Sequence, residues 1–324
     1  MTFRHLLSWK PLFYEALLPA LRRLGPAPAD AILGVLGRSL AAAWPPRRRE
    51  LGESFRRLGP ATGDPASLAV RRKDLAANVL RYLARDCLLD GLADDAFFAR
   101  FDVQGVEHLD GALARGRGVI LVGSHLGAHL AATHWLFRRG ATLRLLLQRA
   151  QHVSRLLRDR YDVATGPHPQ AGFFLRRHMT PHEAAKRIFR TRAALHDGLI
   201  VYLKGDVPWS GPNTRPARFF GRERTFQSLW AEFSSMFETP VVSVFCTHLP
   251  GGRYALSFDP AFTVVRGEEG EAVAQYIARL EAEIVAHPAD AVGHLLWPCY
   301  GPPTVATRPS RKMARRVKPR AATF

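Results

Sequence analysis

Gly118-Val119-Ile120-Leu121-Val122-Gly123-Ser124-His125-Leu126-Gly127-Ala128-His129-Leu130-Ala131 is the stretch on which the fold of this chain turns. The apolar run Val119 to Val122, rich in β-branched side chains and bounded by glycines, predicts a buried strand. Gly123-Ser124 predicts a turn, and the residues after it predict a helix from Leu126 to about Arg138, stopped by Gly140. His125 would then stand just past the carboxyl end of a strand and beside a helix amino terminus. In open α/β sheets that edge is where ligands bind, and a helix amino terminus favours anionic or oxyanion groups. A histidine so placed suits general-base chemistry. The plain alternative is a loop histidine bonded to backbone.

Two other chemistries fit the same residues less well. In Gly123-Ser124-His125-Leu126-Gly127 the centre is His, where a nucleophile elbow needs Ser. His125 and His129 are four apart, as metal ligands on one helix face can be. No acid lies between them and no Cys is near, so zinc is the weaker reading.

Working outward, Leu143 to Leu147 predicts the next strand, with Gln148-Arg149 at its end and the basic set Arg155, Arg158 and Arg160 on a following helix. Thr180-Pro181-His182-Glu183 has the make-up of a capping box with proline at the first helical position. Leu199 to Leu203 predicts a second buried strand, parallel to the first because a helix separates them. Lys204-Gly205-Asp206 follows it. If the two strands are neighbours, Asp206 and His125 meet at one edge. Residues 209–225 read as a glycine- and proline-rich loop in which Arg215, Arg218, Arg222 and Arg224 surround Glu223. Arginine suits bidentate capture of phosphate or carboxylate. Phe226, Leu229, Trp230, Phe233 and Phe237 stripe a helix. Val241 to Cys246 is a strand that turns at Pro250-Gly251-Gly252 into Tyr254-x-Leu256-x-Phe258. Val273, Ile277, Leu280 and Ile284 mark a final helix. Upstream, Leu75, Val79, Leu83 and Cys87 share one face of a helix over 71–89, and Phe101 to Gly105 is a short strand. The pattern predicts one α/β domain, a mixed, largely parallel sheet flanked by helices.

The 324 residues carry a formal net charge of +18, which attracts anionic surfaces: nucleic acid, acidic phospholipid or an acidic carrier protein. No zinc module, RNA-recognition signature or phosphate loop supports nucleic acid as the partner. Residues 6–24 and a helix capped by Asp30 and ended by Pro45-Pro46 are apolar with basic flanks, a make-up suited to a membrane interface as well as to capping a core. No apolar run reaches the ~18 residues of a spanning helix. Arg47 to Arg49 opens a basic stretch, and a linker runs from Gly59 to Pro65. Arg308 to Arg320 holds seven basic residues and no acid, a disordered basic tail by composition. The expected organisation is 1–46 as membrane-interface helices, 47–305 as the α/β domain and 306–324 as the tail. Cys87, Cys246 and Cys299 are scattered, which fits packed, reduced thiols.

Gly118 to Leu130 resembles the first motif of the lauroyl/myristoyl acyltransferases of lipid A synthesis, within the wider lysophospholipid acyltransferase superfamily. In that family an acid stands five positions after the histidine; here that place holds Leu130. Phe219-Phe220-Gly221 resembles the family's Phe-Phe-Gly, and Leu296-Trp297 its final segment; the likeness spans roughly 45–297. The resemblance implies transfer of a fatty acyl group from acyl carrier protein or acyl-CoA to a hydroxyl or amine of a lipid or glycolipid acceptor. It implies a peripheral protein on the cytoplasmic face of the inner membrane, with no metal or other cofactor. It makes His125 the base and Arg149 a holder of the acceptor. Arg218, Phe219, Phe220, Gly221, Arg222 and His129 become further substrate contacts, and Asp206 the candidate to replace the missing acid. The other reading is a catalytically degenerate protein that binds acyl chains or the carrier. A carboxylate within hydrogen-bond reach of His125 distinguishes the two.

Overall fold

In the computed structural model, which describes residues 9–43, 65–176, 179–209 and 213–296, the two apolar runs become neighbouring strands of one sheet. Strands β1 (Phe101–Gln104), β2 (Val119–Gly123), β3 (Leu143–Leu145), β4 (Ile200–Lys204), β7 (Val241–Leu249) and β8 (Arg253–Phe258) lie in the order β1-β8-β7-β2-β4-β3. Only β7 and β8 pair antiparallel; the other four pairings are parallel. Every residue of β2 and β4 is buried, which is why both read as unbroken apolar runs rather than as alternation.

Alternate side chains of these strands feed two cores. Ile120, Val122, Val201 and Leu203 join α8 (Pro181–His196), α9 (Leu229–Phe237) and α10 (Glu269–Ala286) on one face. Val119, Leu121, Ile200 and Tyr202 join α5 (Val106–Leu113) and α6 (His129–Arg138) on the other. Burying one such aliphatic side chain contributes about 1.5–3 kcal/mol. The predicted capping box of α8 forms: Thr180 N–H donates to Glu183 at 2.9 Å, and Glu183 N–H to Thr180 Oγ1 at 3.2 Å.

The amino-terminal helices build a third core. A turn at Trp9–Pro11 and a π-helical stretch Leu12–Leu17 lead into α1 (Leu18–Arg23). Then α2 (Pro26–Ala43) runs beside α3 (Pro65–Ala84), and Phe13, Leu21, Leu33 and Leu80 pack together. Asp30 is not the cap expected of it. The helix begins at Pro26, a residue pre-set for a first turn, and Asp30 is buried inside it, 2.7 Å from Arg81 Nε. Leu12, Val35 and Leu40 remain exposed on these helices. Among the described residues no helix is long and apolar enough to cross a membrane.

One expected loop is a hairpin. Within 209–225, β5 (Thr214–Phe219) pairs antiparallel with β6 (Arg222–Gln227). Its two-residue turn, Phe220-Gly221, has φ of 47° and 71°, the sign that a tight hairpin needs at both positions. Arginines on the exposed positions hid the strands, while Ala217, Phe219 and Phe226 face inward. The Arg47 to Arg49 run, the linker up to residue 64, Trp297, Cys299 and the 308–320 segment lie outside the described residues.

Candidate active site

The register of β2 on β4 sets Gly123 opposite Lys204, so residues two further along each strand leave the same edge together. There His125 Nδ1 lies 2.9 Å from Asp206 Oδ1, and the His125 backbone N–H donates to Asp206 Oδ2 at 2.6 Å. A second histidine, His294, reaches Oδ2 with Nε2 at 2.8 Å. The Tyr276 hydroxyl and the Gly205 N–H both donate to Gly123 O, at 2.8 and 2.9 Å, and fix the strand ends. The Asp206 side chain is fully buried, whereas that of His125 is 18% exposed. With the Nδ1 proton given to Asp206, the hydrogen-bond pattern assigns the His125 lone pair to Nε2.

Burial works against the charge of Asp206, but His125 and His294 outweigh it and hold the carboxyl well below its ordinary range. The site therefore contains a carboxylate. The pKa of His125 is lowered: burial, assisted by Lys204 and His294, outweighs the upward pull of Asp206. That pull exists, but loss of hydration is larger.

His125 stands in an irregular turn, since α6 begins at His129 and not at Leu126. Gly127 has φ of 52°, and a Cβ there would come within 2.5 Å of Cys246 O. The N–H groups of Leu126, Gly127 and Ala128 donate to Ser124 Oγ, Asp290 O and Cys246 O at 3.2, 2.9 and 2.8 Å. Together with His125 N–H on Asp206, the turn spends its donors within the protein. An oxyanion site on these amides, expected from a helix start at Leu126, is therefore not formed.

His129, one helical turn on, places its ring 5.4 Å from that of His125 and 5.7 Å from Tyr82. Its Nδ1 is buried with no hydrogen-bond partner among the described residues, and burial holds its pKa well below the usual value. It is a neutral imidazole next to the base. Lys204 Nζ donates to Ser124 O and, at 2.6 Å, to the Tyr202 hydroxyl. Burial lowers its pKa to about 7.

The other expected residues are more dispersed. Leu130 is buried in the core with Leu121 and Tyr202. Arg149 lies beyond the same strand edge, past β3, and is ion-paired with Asp162 on the surface. Phe219 packs inward, its ring 6.3 Å from that of His294. Phe220 donates its N–H to the Glu281 carboxylate. Arg218 and Arg222 are exposed on the hairpin. His294, Lys204 and Tyr276 were not anticipated as site residues. For His294 the sequence offers no signal beyond a histidine after glycine in a short apolar segment.

A histidine held by a buried carboxylate, with its second nitrogen left as a base, is the arrangement the motif resemblance implies. The sequence profile of the bacterial lipid A biosynthesis acyltransferases matches residues 1–292. The chain belongs to that family. Membership makes it an acyltransferase, and implies a lipid A-like acceptor. No curated protein sequence matches it.

Proposed function

We propose that the protein transfers a fatty acyl group from a thioester, acyl carrier protein or acyl-CoA, to a hydroxyl or amine of a lipid A-like acceptor, with His125 as general base. One observation carries this reading: a carboxylate 2.9 Å from His125 Nδ1 in a chain that has leucine at the motif position. His125 Nε2 takes the proton as the acceptor oxygen or nitrogen attacks the thioester carbonyl. The tetrahedral adduct collapses, the C–S bond breaks, and the imidazolium returns the proton to the departing thiolate. Asp206 holds the ring in the tautomer that this requires and stabilises the imidazolium while it exists. His129, Phe219 and the hairpin from Arg218 to Arg222 belong to the substrate side of the same edge, and Arg149 is a candidate contact for an acceptor phosphate.

The same observation favours an enzyme over a degenerate binder. The exposed apolar side chains of the amino-terminal helices and the net charge of +18 support a peripheral position on the cytoplasmic face of an anionic membrane. The direct test incubates the purified protein with a lipid A precursor and either donor, and follows the product by mass spectrometry. Acyl addition that disappears in His125→Ala is the expected result. Turnover retained by a folded His125→Ala would exclude His125 as the base.

A further inference from the structure

Among the described residues Asp206 accepts hydrogen bonds from the His125 backbone and ring and from His294, and that last donor is supplied from 88 residues away. His294 sits on α11 (Val292–Leu296), the last described helix, with its ring 1% exposed. Its neighbour Gly293 lets that helix touch the catalytic turn. A Cβ at 293 would lie 2.9 Å from the Tyr82 hydroxyl, 3.0 Å from His125 O and 3.3 Å from His125 Cβ. The turn before α11 is tied to the same region. Asp290 O accepts from Gly127 N–H at 2.9 Å, its carboxylate is 2.5 Å from His248 Nδ1, and Ala289 O accepts from Asn78 at 3.0 Å. The position at which relatives carry their acid is meanwhile taken by Leu130, packed in the core.

We propose that His294 is a positioning residue, which holds the Asp206 carboxylate where His125 needs it, so that α11 completes a site whose motif acid is absent. This rests on the reading of His125 as the base. A buried carboxylate is stable only when its lone pairs are satisfied. His294 supplies one of the two hydrogen bonds described at Oδ2, and losing it weakens the hold that keeps Oδ1 facing Nδ1. Charged and titratable groups around the pair include Lys204, His129, Tyr82, Tyr202 and Tyr276, and Lys204 and Tyr276 direct their described hydrogen bonds elsewhere.

The test compares His294→Ala, His294→Gln and Gly293→Ala by two readouts. The first is the nitrogen NMR signals of the His125 ring, identified by their loss in His125→Ala. The second is kcat and KM for acyl transfer. In the wild type, Nδ1 should carry the proton. His294→Ala should mix the tautomers and lower kcat by about 10- to 100-fold with KM nearly unchanged, by analogy with the loss of a group that orients a metal-bound histidine. His294→Gln, whose amide N–H can replace Nε2–H, should restore most of both. Gly293→Ala, which must push α11, Tyr82 and the His125 turn apart by a few tenths of an ångström, should shift both in the same direction but less. If His294→Ala does not fold, the other two variants decide. Wild-type ring signals in His294→Ala, or in both other variants without any change in kcat, overturn the proposal. The ring signals need no substrate, so a wild-type protein without acyl transfer would defeat the functional reading while leaving this test intact.

Discussion

Asp206→Asn isolates the orienting carboxylate with almost no change in volume, and its cost follows from the donors around it. Among the described residues, N–H groups point at both oxygens: His125 N–H and His294 Nε2–H at Oδ2, and His125 Nδ1–H at Oδ1. Asparagine offers one carbonyl and one NH2. With the NH2 at the Oδ2 site, a backbone N–H that cannot change its proton is left facing another donor, at about 1–3 kcal/mol for the buried group. With the NH2 at the Oδ1 site, the conflict falls on an imidazole, which relieves it by moving its proton to Nε2. The second arrangement is preferred by that energy, roughly 5- to 150-fold at 1.4 kcal/mol per factor of ten. It is the arrangement that destroys the base. The same substitution in the serine-protease triad lowers kcat by ~10⁴ through the wrong tautomer, equivalent to about 5.5 kcal/mol of barrier. A kcat loss of about 10³–10⁴ is therefore expected, with KM little changed and the protein still folded. Steady-state kinetics with a radiolabelled acyl donor, alongside thermal unfolding, reads both. A folded variant within tenfold of wild-type kcat would refute the orienting role.

Three further outcomes follow. Because burial lowers the His125 pKa, its neutral, basic form survives on acidification past the ordinary value of about 6.5. The acid limb of kcat/KM should therefore have its midpoint below that value, and a midpoint above it would contradict the buried geometry. Lys204, lowered to about 7, is neutral in the folded state where the unfolded chain still binds its proton. Stability from this residue should rise with pH between about 7 and 10.5, by up to about 1.4 kcal/mol per unit, and urea titrations of Lys204→Met should lack that slope. Finally, the protein should sediment with phosphatidylglycerol vesicles at low ionic strength and be partly released by 0.5 M salt, roughly where the Debye length falls to a few ångströms; failure to sediment would remove the membrane assignment.

The parts of the fold that could be read in advance are those in which local pattern and tertiary environment agree. Val119 to Val122 and Leu199 to Leu203 are apolar throughout because both faces of their strands are covered, and the intervening helix required them to be parallel. Thr180 and Glu183 announced a helix start because capping is a contact between near neighbours. Reading failed where a distant contact overruled the local signal. Asp30 has the chemistry of a cap, but Arg81 draws it into an ion pair within a helix that proline had already begun. Leu126 to Ala128 resembles a first helical turn, yet their N–H groups are taken by Ser124, Cys246 and Asp290. The β5–β6 hairpin was hidden because its exposed positions carry arginine, which has no periodic apolar signal of its own.

Asp206 reaches His125 through the sheet. A side chain five residues after His125 would belong to the first turn and a half of α6, whereas one two residues beyond β4 approaches His125 from the neighbouring strand. The parallel register of β2 on β4 fixes that approach, because it sets the two strand ends side by side. The strand route has a cost: Asp206 is fully buried, and the charge must be stabilised by more than the one ring it orients. The His125 backbone N–H and His294 meet that need, and His294 comes from a separate helix near the end of the described chain. On the reading of His125 as the base, its carboxylate comes from the neighbouring strand, and α11 supports that carboxylate through His294. Truncations or substitutions in 292–296 should on that account affect turnover before they affect the sheet.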